Sequence, residues 1–403
     1  MTENLTGPLA GIRVLELGNF IAAPTAGRIF ADFGADVIKV ERPGVGDELR
    51  RWRLHAGSTS LLFRTLGRNK RSITLDVGTP QGKQVALRLI EKSDVIFENF
   101  RPGTLEKWGL GPSEIKQRNP QAVLVRISGY GQTGPYRDRP GFGGVAEAIG
   151  GLRHVVGYSD RPPVRVGVSL ADTVSGLYAV IGALMGLLQR GREPSGEVVD
   201  VALYEAVYSL MESLVPDHDA FGIRRAPEGA GLPGISPSNT FACADGKYVV
   251  ISGNGDAIFK RLMNTIGRPD LAQNPELSDN AGRVAHNQEL EDAIAGWAAT
   301  LPSDQILAEL ERAAVPSGPI YQASDILADP HFADRGMLET HCVDIGHDRP
   351  QPVVFPGIVP ALQNRPGATR WLGPELGAHT SEVLRELGFN SEAENELREQ
   401  GVI

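Results

Sequence analysis

Short apolar runs that alternate with stretches of helical periodicity fill residues 12–128, and they restrict the fold more than any other feature of the chain. IRVLEL (12–17), DVIKVER (36–42), SITLDV (72–77), DVIFENF (94–100) and AVLVRIS (122–128) read as strands. Between them, APTAGRIFADFGA (23–35) reads as a helix stopped at Gly34. TPQGKQVALRLIEKS (79–93) reads as another, capped by Thr79 and started by Pro80. Two shorter helices are predicted near 104–118. Nearly all-apolar strands alternating with helices imply a parallel sheet covered on both faces, a Rossmann-like pattern.

The expected organisation is α/β, with a large Rossmann-like domain over 1–215 and a smaller α+β domain over 237–325. The glycine- and proline-rich stretch 216–236 reads as the linker. In the smaller domain, KYVVISG (247–253) is a predicted strand. AIFKRLMNTIG (257–267), NQELEDAIAGWAAT (287–300) and PSDQILAELERAA (302–314) are predicted helices. The segment 326–403 is expected to return to the large domain, with a helix near 380–388.

Composition narrows the function. A net charge of −9 argues against a nucleic-acid partner but leaves room for an anionic ligand in a locally basic cleft. Cys243 and Cys342 are too few for a disulfide framework or a cysteine-rich zinc site, and the eight histidines show no ligand spacing, so no metal is expected. MTENLTGPLAG carries no basic region followed by an apolar core, so no signal peptide is read. LYAVIGALMGLL (177–188) reads as too short to span a bilayer. A cytoplasmic protein without membrane attachment is expected.

Gly129-Tyr130-Gly131-Gln132-Thr133-Gly134 fits the G-x-G-x-x-G pattern and follows a predicted strand. A dinucleotide loop must open a helix, so that the helix N-terminus meets the pyrophosphate. Here Pro135 and Pro140 follow at once, and the first strand–helix junction (15–27) lacks the pattern. A second match, Gly229 to Gly234, has no strand before it. The first loop reads as a long turn at the carboxyl end of a strand, which is where α/β proteins bind ligands.

Five stretches together resemble the family III CoA-transferases: residues 9–52, NKRSITLDV (69–77), DVIFENFRPGTLEKWGLG (94–111), ISGYGQTGPY (127–136) and GVSLADTVSGLYAVIGAL (167–184). The resemblance implies transfer of CoA from an acyl-CoA to a carboxylic acid by an interlocked homodimer. CoA and acyl-CoA are then substrates, and no cofactor is tightly bound. It implies that Asp172 is the nucleophile, passing through a mixed anhydride and an aspartyl-CoA thioester. Read without the resemblance, Asp172 is an ordinary cap at the start of a helix. The implied CoA contacts are Arg42, Leu75, Asp76, Val77, Asn99, Phe100, Arg101, Lys107, Ser128, Gly129, Tyr130 and Gly131. Arg42 would stack on adenine, and Arg101 and Lys107 would meet phosphates. Ile21, Trp52, Gly253, Asn254 and Gly255 fall at the acyl pocket or lid, with Tyr130 as a further wall.

The pattern departs from formyl-CoA transferase in two places. Ile21 stands where that enzyme has glutamine, and Ser252-Gly253-Asn254-Gly255-Asp256 replaces an all-glycine lid. Arg50, Arg51, Arg53 and Arg165 offer charge for a second carboxylate, so a dicarboxylate acceptor with succinyl-CoA as donor is expected. Two alternatives stand beside this. An α-methylacyl-CoA racemase would need an imidazole near Gly141-Phe142-Gly143, where none occurs, and His154 lies too far along. A non-catalytic CoA-binding protein would have no need of Asp172.

Overall fold

The computed structural model describes residues 6–403. The first five residues, part of the stretch read for a signal peptide, lie outside the described residues. The chain forms two compact units. One holds the described residues through Leu152, Val166–Glu212 and His331–Ile403; the other holds Arg153–Arg165 and Ser213–Pro330.

The first unit is built on six parallel strands: β1 (Arg13–Glu16), β2 (Asp36–Glu41), β3 (Lys70–Thr74), β4 (Val95–Glu98), β5 (Val123–Ser128) and β6 (Val198–Ala202). Their order across the sheet is β3-β2-β1-β4-β5-β6. This is the doubly wound order, whose direction reverses between β1 and β4. Helix α1 (Ala22–Asp32) follows β1, α2 (Pro80–Glu91) follows β3 and α3 (Thr104–Trp108) follows β4. Thr79 Oγ1 caps α2 by accepting from Gly82 N, with Pro80 at its first position. The helix α4 (Gly143–Ile149), which follows the glycine loop, and β6 are absent from the sequence reading. Strand β3 begins two residues before its predicted start, because Lys70 and Arg71 are fully buried strand residues and not a basic surface patch.

The longest helix, α5 (Leu170–Arg190), packs on α1 and β5. Gly176, Ala179, Ala183 and Gly186 form its buried stripe. A methyl group at Gly176 would stand 2.8 Å from Ala22 O and 2.9 Å from Thr25 Cβ, so the backbones touch. By length and composition this helix is long and apolar enough to cross a membrane, and it extends the 177–188 run at both ends. It packs one face against α1 and the sheet and leaves Leu177, Ile181, Met185 and Leu188 exposed.

The tail adds an antiparallel hairpin (Leu338–Val343 with Gln351–Pro356) and helices Thr380–Glu386 and Ser391–Glu399. The hairpin and the last helix are absent from the sequence reading. Val402 is buried in the main apolar cluster, and its carbonyl accepts from Asp76 N at 2.8 Å.

In the second unit, β7 (Ser238–Ala242), β8 (Tyr248–Ser252) and β9 (Ser317–Pro319) form an antiparallel sheet. Helices Asp256–Thr265, Asn287–Ala298 and Ser303–Arg312 enclose an apolar core around Val249, Ile251, Phe259, Leu290, Ile294 and Ile306. Residues 153–165 belong here and not with the large domain, because Gly157–Tyr158 pairs antiparallel with Glu228–Gly229.

Candidate active site

The reversal of strand order leaves a crevice beyond the carboxyl ends of β1 and β4. One side chain ties the loops on its two sides together. Asn99 Oδ1 accepts from Asn19 N at 2.8 Å and its Nδ2 donates to Asn19 O at 2.7 Å. Both amide ends of Asn99 are thereby used on the neighbouring loop.

The residues expected to meet CoA lie after successive strands around this crevice. Arg42 follows β2, Leu75–Val77 follow β3, Asn99–Arg101 follow β4 and Ser128–Gly131 end and follow β5. Leu75 is buried in the core, and its amide donates to Glu41 O at 2.8 Å. Phe100 packs edge-on against Trp108 at 5.0 Å. The side chains of Arg42, Arg101 and Lys107 are exposed, and none is paired with another described residue. These are the cations left available for an anion. Arg50 is not: its guanidinium grips Glu41 through two bonds of 2.7 Å and is 5% exposed. Lys70 and Arg71 are buried as well.

Beneath the loops lies a buried ionic network that sequence reasoning missed. Lys39 Nζ meets Glu16 Oε1 at 3.0 Å, Asp47 Oδ2 at 2.8 Å and Gly18 O at 2.9 Å. Lys70 Nζ meets Glu16 Oε2 at 2.7 Å and Pro24 O at 2.8 Å. Glu41 also accepts from Ser72 Oγ at 2.6 Å and Asp47 N at 2.9 Å. Burial alone would lower both ammonium pKa values. For Lys39 it is overcome by Asp47, Glu16 and Glu41, and the net shift is upward. For Lys70 burial wins against Glu16, with Lys39 adding to it, and pulls the pKa down to about 8. The signal was present in DVIKVE and KRSIT: Lys39 with Glu41, and Lys70 with Ser72, are polar residues at alternate strand positions and mark one polar face inside the sheet.

The network shapes the crevice through Asp47. Its Oδ1 accepts from Phe20 N at 3.1 Å and Leu49 N at 2.9 Å. Phe20 holds φ 62°, a conformation that costs a non-glycine residue energy and needs such an anchor. Its ring packs on Trp52 at 5.3 Å and edge-on against Phe142 at 5.9 Å. Trp52 is exposed and forms an aromatic wall with these two. Ile21 does not belong to that wall. Its side chain is 7% exposed and packed with Leu49, Phe63 and Leu66, so it fills the space under the loop.

The glycine loop answers to a different need from a dinucleotide loop. Ser128 Oγ accepts from Gly131 N at 3.0 Å, and Asp200 Oδ2 accepts from Gln132 N at 2.8 Å. Gly131 has φ 87°. A methyl group on Gly129 would stand 2.9 Å from Gly141 Cα, and the reverse holds, so the two ends of the loop cross backbone to backbone. No helix opens until Gly143. There the loop reaches Asp172: a methyl group on Gly143 would overlap Asp172 Oδ2 and stand 2.9 Å from Cγ.

Asp172 is the third residue of α5, with Ser169 at the cap position, so it is a first-turn carboxylate and not the cap. The helix N-terminus favours its ionised form. It is half-buried and shares a face of α5 with Gly176, four residues on, which touches α1. Gly253, Asn254 and Gly255 lie in the second unit, after β8. Gly253 N donates to Pro237 O at 2.8 Å, and Arg283 Nη2 donates to Asn254 O at 2.8 Å. Neither glycine has positive φ; at Gly253 a methyl group would overlap Leu262, so packing explains the residue. His154 bonds through Nε2 to Arg225 O at 2.9 Å within the second unit. Among the described residues no His, Cys, Asp and Glu cluster is arranged to hold a metal.

Residues 9–380 match the description of CoA-transferase family III. The chain belongs to CoA-transferase family III. It is 45% identical over 382 residues to succinyl-CoA–D-citramalate CoA-transferase of Chloroflexus aurantiacus, covering 94% of each chain. It is 41% identical over 403 residues to the succinyl-CoA–L-malate CoA-transferase beta subunit of that organism, covering 99% of this chain and 98% of the other. A crystal structure of a CAIB/BAIF family protein from Brucella suis shares 33% identity, with a TM-score of 0.82 over 95% of this chain and 100% of that chain. This family III chain is therefore an enzyme of the transferase class, and its sheet is the mixed α/β framework of that family.

Proposed function

We propose that this family III enzyme transfers CoA from succinyl-CoA to a dicarboxylate, with Asp172 as the covalent carrier. A carboxylate oxygen of Asp172 attacks the thioester carbonyl of succinyl-CoA. The C–S bond breaks, leaving CoA thiolate and an aspartyl–succinyl anhydride. The thiolate attacks Asp172 Cγ, succinate departs, and an aspartyl-CoA thioester remains. The acceptor carboxylate then attacks Cγ, re-forming an anhydride, and the released thiolate takes the acceptor's acyl carbon. Asp172 leaves as a free carboxylate. The carrying observation is that the glycine loop delivers Gly143 onto the Asp172 carboxylate in the first turn of α5. The 2-hydroxy dicarboxylates named for the two Chloroflexus relatives support a four- or five-carbon acceptor.

Arg42, Arg101 and Lys107 would meet the adenine and phosphates of CoA, with the backbone of Leu75–Val77 and Ser128–Gly131 beside them. Phe20, Trp52 and Phe142 would wall the acyl chain, with Tyr130 across from them. The stripe of Leu177, Ile181, Met185 and Leu188, exposed on α5, supports burial against a second copy in an interlocked homodimer, as does the family resemblance. Reducing conditions suit the free Cys243 and Cys342 and support a cytoplasmic location. The test is a panel of acids incubated with succinyl-CoA and with acetyl-CoA, the CoA products read by mass spectrometry. Succinyl-CoA with C4 and C5 dicarboxylates should give products. Reaction of a monocarboxylate alone would overturn the acceptor class, and a monomer in sedimentation would overturn the dimer.

A further inference from the structure

Gly143 sits at the start of α4 in a helical conformation, outside the positive-φ region that ordinarily calls for glycine. Its backbone would accept alanine, and alanine is the better helix former. The side-chain space would not accept it. The nearest atoms to a methyl group there all belong to one residue: Asp172 Oδ2, overlapped outright, Cγ at 2.9 Å and Oδ1 at 3.2 Å. Nothing else lies closer, so the position is reserved for the nucleophile.

Most close glycines in this chain have another explanation. Gly82 and Gly196 abut backbone carbonyls, and Gly150 abuts Val207, so each serves packing. Gly143 alone among the glycines cited here meets the reacting carboxylate. The backbone that carries Asp172 has little freedom to withdraw, so the carboxylate itself must rotate. It rides on the first turn of α5, and one turn later Gly176 fixes that helix to α1. A residue at 143 with any side chain must turn the carboxylate away from its seat. The loop itself is anchored from below by Asp200 and Ser128, so it cannot easily retreat.

We infer that Gly143 is a positioning residue for the transfer reaction: the missing side chain seats the Asp172 carboxylate for attack on the thioester. This rests on the reading of Asp172 as nucleophile. It makes an unusual joint demand, because the substitution that helps the helix should harm the chemistry.

The test compares Gly143→Ala with wild type and with Gly296→Ala. Gly296 lies within the helix Asn287–Ala298 with open space around its Cα. Three readouts are taken: thermal midpoint, affinity for CoA, and the rate at which succinyl-CoA loads CoA onto the protein in a single turnover. Gly143→Ala should keep its thermal midpoint and its CoA affinity within about twofold of wild type. Its loading rate should fall by roughly a hundredfold, the cost of misplacing a reacting group by about an ångström. Gly296→Ala should load at the wild-type rate. Loading of Gly143→Ala at the wild-type rate would overturn the inference. So would a fall in its thermal midpoint that persists in Gly143→Ala/Asp172→Ala, which has no carboxylate for the new methyl group to meet, since the position would then be structural. If wild type itself carries no CoA on Asp172, the underlying reading fails and the role of Gly143 falls with it; a loaded wild type beside an unimpaired Gly143→Ala sinks the role of Gly143 alone.

Discussion

The interiors of the two units are made of different materials. Under the crevice of the first unit, Glu16, Glu41 and Asp47 face Lys39, Lys70 and Arg50, three negative charges against three positive, all buried. The second unit packs apolar side chains around Ile251, Leu290 and Ile294, with Arg283 as its fully buried cation. An apolar core is non-directional and holds volume. An ionic network of short bonds fixes individual backbone atoms, here Gly18 O, Pro24 O and the amide of Phe20. Such networks bring little net stability against an apolar equivalent, because desolvation offsets the attraction. Their presence under the loops around Asp172 therefore points to placement of those loops.

That contrast is open to breaking. The largest effect is expected from Lys39→Met, which leaves Glu16 and Asp47 buried without their shared cation. It should cost about 3–5 kcal/mol in denaturant unfolding, and CoA loading should fall further than the loss of folded protein explains. Ile294→Ala in the second unit should cost about 2–5 kcal/mol through its cavity. Its folded fraction should load CoA at the wild-type rate. Equal losses of activity per folded molecule would erase the distinction between the two interiors.

Asn99→Ala removes both ends of the Asn19 clamp and should cost about 1–3 kcal/mol, with the KM for acyl-CoA raised more than kcat is lowered. The smallest effect is a pH dependence. Burial raises the pKa of Glu41, but the bonds from Arg50, the charge of Lys39 and the Ser72 hydroxyl outweigh it, and the net shift is below 4.5. The folded state thus binds fewer protons than the unfolded one. The stabilisation is whole above pH 4.5 and is lost as pH falls through the folded value. Urea unfolding across that window should show a shallower acid slope for Glu41→Gln than for wild type. An unchanged slope would place the acid sensitivity elsewhere.

Much of the sheet was legible in the sequence, because strands β1, β2, β4 and β5 each carry a short apolar run that soon meets a glycine, asparagine or proline. Strand β3 was misplaced because Lys70 and Arg71 look like surface residues, and only their tertiary partners Glu16, Asp36 and Glu386 make burial affordable. Strand β6 escaped notice although Gly191, Pro194 and Gly196 set VVDVA apart from the long helix before it. Asp172 and the cations Arg42, Arg101 and Lys107 enter the proposed site through the resemblance, which is carried by their motifs. Asp47, Asp200 and Gly143 were not. Their roles depend on which loop amide or carboxylate they meet across 27, 68 and 29 residues of chain respectively, as in Phe20–Asp47 and Gln132–Asp200. Pattern and propensity carry no information at that range.

The claim on which the account stands is covalent. Wild-type enzyme incubated with succinyl-CoA, digested and examined by mass spectrometry should carry CoA on the peptide containing Asp172, removable by hydroxylamine and absent from Asp172→Ala, which should be inactive. A protein that carries no adduct, or an Asp172→Ala enzyme that still transfers CoA at the wild-type rate, would contradict it.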